Sequence, residues 1–388
     1  MTPKPCGSFF TDSCNASPAQ ATGEIQAGVE EESPCQIARP RTAPPSGAVY
    51  VQTNDATNNE VVVYRRAADG ALAPLGRYAT DGRGTGKPHL ASQSSVVLSD
   101  DGRWLLVANT GSDELSLLAV EADGLRLTDR VASGGRAPTS VAAHESIVYA
   151  LNTGREGTAP NITGFTLADD KLNALEGSTK PLSADEADPA QVSFSPDGKT
   201  LVVTERGTNS ISAYAIDETG HAEGPTTIES SGATPYGFDF TAEGAVVVTE
   251  AFGGELGRAA ASSYAVAGPG RLTPISGSIG DTRSEVCWAA TTKDGRYVYV
   301  TNFGDGTISS YTIGDDGTLE LLEPVAGSTR PGEAGIRDEA ITPDGRYLYA
   351  IDADAQKVYG WTVGQDGRLA PIGAVEGVPE TVAGLAAS

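Results

Sequence analysis

Basic side chains, histidines, cysteines and aromatics are all scarce in this sequence. Lysine and arginine number 27 against 51 aspartates and glutamates, a formal charge of −24. So acidic a chain lacks the basic surface on which broad nucleic-acid binding rests, and it is repelled by anionic lipid, so neither is an expected partner. The charge is spread along the chain, as on a solvated acidic surface. No run of about 18 apolar residues offers a membrane span. The opening stretch MTPKPCGSFFTDSCNASPAQ has no apolar core for a signal peptide. As written, the chain therefore reads as cytoplasmic, or as secreted if a leader has been removed. The four cysteines, Cys6, Cys14, Cys35 and Cys287, contain no CxxC pair, which argues against the usual zinc spacings. A disulfide among the first three requires an oxidising compartment, and its pairing is not legible. Cys287 reads as a small buried hydrophobe. No Gly-x-Ser-x-Gly elbow, phosphate-binding loop or dinucleotide fingerprint occurs.

Glycine (47) and proline (23), by contrast, together exceed the usual ~12% share of the two residues. Residues 1–46 are rich in Ser, Thr, Pro, Ala and Glu and read as a disordered or loosely packed extension. From Gly47 onward, short β-branched or aromatic runs alternate with glycine turns. One turn recurs as Asp69-Gly70, Asp123-Gly124, Asp169-Asp170, Thr219-Gly220, Pro269-Gly270, Asp316-Gly317 and Asp366-Gly367, about fifty residues apart. A second turn precedes a different run, at Asp101-Gly102, Asp197-Gly198, Glu243-Gly244, Asp294-Gly295 and Asp344-Gly345, with a weaker copy at Glu145-Ser146. Asp-Gly between apolar runs is a strong hairpin signal, because both residues tolerate positive φ.

Each unit thus reads as four antiparallel strands, lettered A to D, which is a β-propeller blade. Seven C–D turns face only six A–B turns, and the first unit begins at GAVYVQTN, already a B strand. The missing A strand is expected from VAGLAAS, residues 382–388. The predicted fold is all-β, a seven-bladed propeller over residues 47–388, closed by the C-terminal strand. Such a ring is self-contained and is expected to be monomeric.

SPDGKTLVVTE, TKDGRYVYVTN and TPDGRYLYAID resemble the lactonase-type seven-bladed propellers. That group includes phosphogluconolactonases, carboxymuconate-lactonising enzymes and YVTN-repeat surface proteins. The resemblance covers residues 47–388. It implies the propeller fold and, for function, a small-molecule site that opens or forms lactones. The Gly-Pro-Arg-His segment of the phosphogluconolactonase-like members is missing, and the only histidines are His89, His144 and His221. That group's histidine pattern is therefore not carried over.

The D–A and B–C loops of a propeller crowd the top of its central channel, where a pocket is expected. The B strands end on Asn54, Asn109, Asn152, Glu205, Glu250, Asn302 and Asp352. Asn and Asp at such places commonly cap the turn that follows. Glu is a poor turn former, so Glu205 and Glu250 are expected to reach into the channel. The D–A loops supply His89, Arg283, Glu285, Arg337, Asp338 and Glu339, and the B–C side supplies Arg155, Glu156, Arg206 and Phe252. Tyr236, Trp288 and Phe303 offer aromatic walls. Asn161-Ile-Thr is a glycosylation sequon that matters only in a eukaryotic secretory setting.

Opening a lactone needs a base for water, donors for the oxyanion and an acid for the leaving alkoxide. Glu205 or Glu250 is the expected base. Arg283 and Arg337 are the expected clamps for an oxyanion or carboxylate, being planar and permanently charged. Glu285, Glu339 or His89 is the expected acid. Asn152, Arg155, Arg206, Tyr236, Phe252, Trp288, Asn302, Phe303 and Asp352 are expected to line the substrate. No cofactor is expected, although Glu205, Glu250, Asn302 and Asp352 form a feasible oxygen set for Ca²⁺ or Mg²⁺. The same acid–base pair would also serve a cyclase, isomerase or lyase. A non-catalytic binding propeller is the third reading.

Overall fold

The computed structural model describes residues 47–388 except 89 and 156. The expectations placed on residues 1–46, on His89 and on Glu156 lie outside the described residues. Seven antiparallel sheets form the seven blades, each running from an inner A strand to an outer D strand. In the third blade the outer strand is split into Lys171–Ala174 and Lys180–Pro181, both paired with Asn161–Ala168. The first blade is completed by Ala383–Ala387, which pairs with Gly47–Gln52, as the turn count predicts.

The B strands are covered on both faces by neighbouring blades, so they read as continuous apolar runs rather than alternating ones. Tyr347–Asp352 is buried at every position. The cores lie between blades; at the junction of the seventh with the first, Tyr349, Ile351 and Val358 meet Val49, Tyr64 and Leu385. The outer D strands are exposed to solvent over much of their length.

The turns hold because their glycines take positive φ: 66° at Gly102 and 68° at Gly198 in A–B turns, 85° at Gly70 and 76° at Gly367 in C–D turns. Tyrosines on the B strands use the C–D turns as sockets in the next blade. Tyr149 donates to Gly220 O (2.9 Å), Tyr299 to Gly367 O (2.8 Å) and Tyr349 to Gly70 O (2.6 Å). The last of these crosses from the seventh blade to the first.

Two glutamines tie inner strands together. The Gln191 amide brackets Phe238, donating to its O (2.9 Å) and accepting from its N (2.7 Å). The Gln93 amide does the same with Ala289, at 2.8 and 3.1 Å, from a segment that belongs to the second blade.

Candidate functional site

The B-strand ends settle into their own blades. Ser212 Oγ donates to Glu205 Oε1 at 2.6 Å, and Thr208 Oγ1, Ser183 N and Ser183 Oγ also donate to that carboxylate. Glu250 accepts from Gly232 N (2.7 Å), Ser262 Oγ (2.6 Å) and Ser278 Oγ. Burial raises its pKa, and these donors oppose the rise. Both glutamates are fully buried. Their partners lie on the C and D strands and the preceding D–A loop, on the side away from the channel. The expected reach into the channel does not occur, because a serine on the C strand meets the carboxylate first. Asn109 and Asn302 meet the corresponding serines with the direction reversed, their Nδ2 donating to Ser116 Oγ and Ser309 Oγ, each at 2.8 Å. Glu205→Gln, which removes one acceptor from four donors, is expected to lower stability by about 1–3 kcal/mol. Turnover should be retained, checked by urea unfolding beside an activity assay.

Asn152 is bonded to Ser133 and Asn161, and Asp352 to both arms of Arg330 at 3.0 Å. Glu205, Glu250 and Asp352 are engaged locally through their carboxylates, and Asn302 through its amide nitrogen, while its Oδ1 has no hydrogen-bond partner among the described residues. Among the described residues, no group of three or more His, Cys, Asp or Glu is arranged around a metal position. Arg155 is taken up by Asp113 (3.4 Å) and Thr110 O on the neighbouring blade. Phe252 lies under the Arg258 guanidinium, and Arg283 is held by Thr282 Oγ1 (3.0 Å) beside Asp305.

The residues that do converge begin the A strands of the fifth to seventh blades: Tyr236, Cys287, Trp288 and Arg337. Tyr236, Cys287 and Trp288 form one buried cluster with Ala190 and Ala251, and Ala91 and Phe303 pack against it. The Arg206 guanidinium lies over the Tyr236 ring at 4.8 Å, and that of Arg337 over Phe303 at 4.9 Å. Arg206 is anchored by Asp188 (2.7 Å). Arg337 is only 5% exposed, and burial lowers its pKa. Burial likewise pushes up the Cys287 thiol, whose Sγ donates to Glu285 O. The Glu285 carboxylate lies at the rim between two glycines. A Cβ at Gly254 would stand 2.9 Å from its Oε1, and one at Gly304 3.3 Å from its Oε2.

Arg337, Asp338 and Glu339, expected in a loop, lie on the strand Ile336–Ile341, where a register shift falls between Ile336 and Glu339. Asp338 accepts from Gly384 N (2.6 Å), and burial pushes its pKa up to about 7. Glu339 is buried, with neither carboxylate oxygen hydrogen-bonded within the described residues. Burial first, then the nearby Asp239, raises its pKa well above the usual range. Two adjacent acids inside an inner strand, where the other described inner strands carry at most one, are a visible anomaly of GIRDEAIT.

A strap, residues 90–93, crosses this mouth. Trp288 Nε1 donates to Ser92 O (3.1 Å), Ser92 Oγ to Thr139 O, and Gln93 clasps Ala289. Gly237 leaves room for the Gln93 amide, because a Cβ there would lie 2.3 Å from its Oε1. The strap thus ties the third and sixth blades to the second, and its Ala91 packs against the cluster of Tyr236, Cys287 and Trp288. Gln93 escaped the sequence reading because its partner stands 196 residues away. A cleft of about 750 Å³ lies on the opposite face among the Asp197, Glu243 and Asp294 turns. Among the described residues, none of the buried side-chain polar atoms that lack a hydrogen-bond partner belongs to its lining.

The family model described as "Lactonase, 7-bladed beta-propeller" matches residues 48–159, 162–251 and 249–382. The chain belongs to this family of propellers. Among solved structures it is similar to a candidate 6-phosphogluconolactonase from Bacteroides uniformis, with 22% identity and a TM-score of 0.69 over 87% of this chain and 98% of that one. It is also similar to the periplasmic gluconolactonase PpgL of Pseudomonas aeruginosa, with 18% identity and a TM-score of 0.64 over 88% and 98%. A functionally unknown protein from Desulfotomaculum acetoxidans aligns at 14% identity and a TM-score of 0.66 over 88% and 98%. At such identities these likenesses speak for the fold. No curated protein matches the sequence.

Proposed function

We propose that this protein is a hydrolase that opens a small lactone bearing a carboxylate or a sugar-derived anionic group, in the cup beneath the strap. Membership of the lactonase propeller family supports the reaction class. The observation that carries the reading at this site is the buried guanidinium of Arg337, stacked on Phe303 beside Tyr236, Cys287 and Arg206. A guanidinium removed from water and placed over an aromatic ring presents a permanently charged, forked donor suited to a planar anion. Arg206, from the fourth blade, offers a second positive edge. Glu285 is the carboxylate at the rim of this cup and is proposed as the base that takes a proton from water. With the strap closed, bulk water is kept from the opened ring.

Proton release in a pH-stat, against a panel of γ- and δ-lactones with and without a carboxylate, tests the reading. Wild type is expected to release one proton per lactone and to incorporate one solvent oxygen. Glu285→Gln is expected to lower kcat by about 10²-fold with the fold retained. Silence of the wild-type protein on every lactone sinks the proposal.

A further inference from the structure

Buried tyrosines in this molecule are otherwise satisfied. Tyr64 donates to Glu376 O (3.1 Å), Tyr214 to Pro181 O (2.8 Å), Tyr311 to Ile279 O (3.0 Å) and Tyr347 to Ala68 O (2.7 Å). Tyr149, Tyr299 and Tyr349 fill their turn sockets, and Tyr264 bonds with Ser231 and Ser262. Tyr236 breaks the pattern. It is 5% exposed, and its hydroxyl has no hydrogen-bond partner among the described residues. A buried phenol left without a partner is expensive, and a fold that satisfies its other tyrosines so regularly marks this one as awaiting an acceptor.

We propose that the Tyr236 hydroxyl donates its hydrogen bond to the carbonyl oxygen of the lactone as that oxygen becomes an oxyanion. The inference rests on the lactone reading above and assigns a catalytic residue to it. The ring is fixed for the task. Arg206 covers one face at 4.8 Å, and Trp288 meets it edge-on at 5.9 Å and 67°. Its backbone carbonyl accepts from Thr204 Oγ1 at 2.5 Å. Arg206 and Arg337 both act on the phenol electrostatically, opposed by Cys287 and Asp338, so charge forming on an acceptor there lies within reach of two guanidinium groups. Burial holds the phenol protonated, hence a donor. Ala91 of the strap packs on this cluster, beside the ring that would carry the donor.

The step balances as follows. Water oxygen bonds to the carbonyl carbon, the π pair moves onto the carbonyl oxygen, and Tyr236 keeps its proton while donating the hydrogen bond. The pair then returns, the ring C–O bond breaks, and the alkoxide takes the proton removed from water. The product is a hydroxy acid, whose own proton is released to solvent.

Tyr236→Phe tests the assignment, because phenylalanine keeps the contacts to Arg206 and Trp288 and leaves no donor stranded. The expected result is a fall in kcat of about 10²-fold, KM within threefold of wild type, and a melting temperature equal or higher. Unchanged kcat in a protein whose wild type opens lactones overturns the role of Tyr236 and leaves the lactone reading standing. A lowered melting temperature shows a structural partner for the hydroxyl and overturns it too. A wild type inactive on every lactone removes the reading and this inference together.

Discussion

Arg337→Met is expected to lower kcat/KM on an acidic lactone by about 10³-fold. Removing one member of a buried charge contact typically costs 2–5 kcal/mol, and about 4 kcal/mol is a thousandfold. Methionine preserves the volume against Phe303, so the loss reports the guanidinium rather than a cavity. Arg337→Lys should fall between the two, because lysine keeps charge but neither the fork nor the stacking plane. A neutral lactone of the same ring should lose less than the acidic one, which separates recognition of the substrate anion from oxyanion support. Initial rates across a concentration series, with circular dichroism as the fold control, decide it. Retention of kcat/KM within threefold in the folded methionine variant would show that Arg337 serves only the scaffold.

The second large effect concerns stability against pH. Asp338 has its pKa raised from 3.8 to about 7 by burial. A raised acid favours the protonated folded form, so its contribution is fully present below pH ~4 and is lost as pH climbs to about 7. Three pKa units correspond to about 4 kcal/mol. The unfolding free energy should therefore decline between pH 5 and pH 8. Asp338→Asn still accepts from Gly384 N and does not titrate, so it should remove much of that decline and be the more stable protein at pH 8. Glu339 and Asp239 are raised in the same direction and account for the slope that survives. Urea unfolding at four pH values gives the comparison, and equal slopes in the two proteins would contradict the argument.

The architecture was legible because a hairpin turn with positive φ admits few residues. Asp-Gly at fixed intervals therefore reports the blades directly, and the missing A–B turn reports the closing strand. The site was legible in part, for a different reason in each case. Residue type alone does not say which way a strand-end side chain turns. Glu205 stands seven residues before Ser212, as Asn109 does before Ser116 and Asn302 before Ser309. That spacing, and not side-chain length, decided its direction. Arg283 and Arg337 look alike in sequence, yet one ends beside Asp305 and the other buried over Phe303. The difference lies in where the loop stops and the inner strand starts, which depends on the neighbouring blade. Tyr236 was read as an aromatic wall, and its unmet hydroxyl appears only when the surrounding tyrosines are seen to be filled.

The tyrosine sockets bear on how the ring comes apart. Tyr349 enters the turn at Gly70 in the way that Tyr299 enters the one at Gly367. The junction of the seventh blade with the first is therefore built like that of the sixth with the seventh, and hydrogen-bonded pairing across Gly47–Gln52 and Ala383–Ala387 is added to it. A closure tied in this way is not a preferred place for the ring to unzip. Loss of structure should be shared around the circle and cooperative, rather than peeling blade by blade from one end as in an open array of repeats.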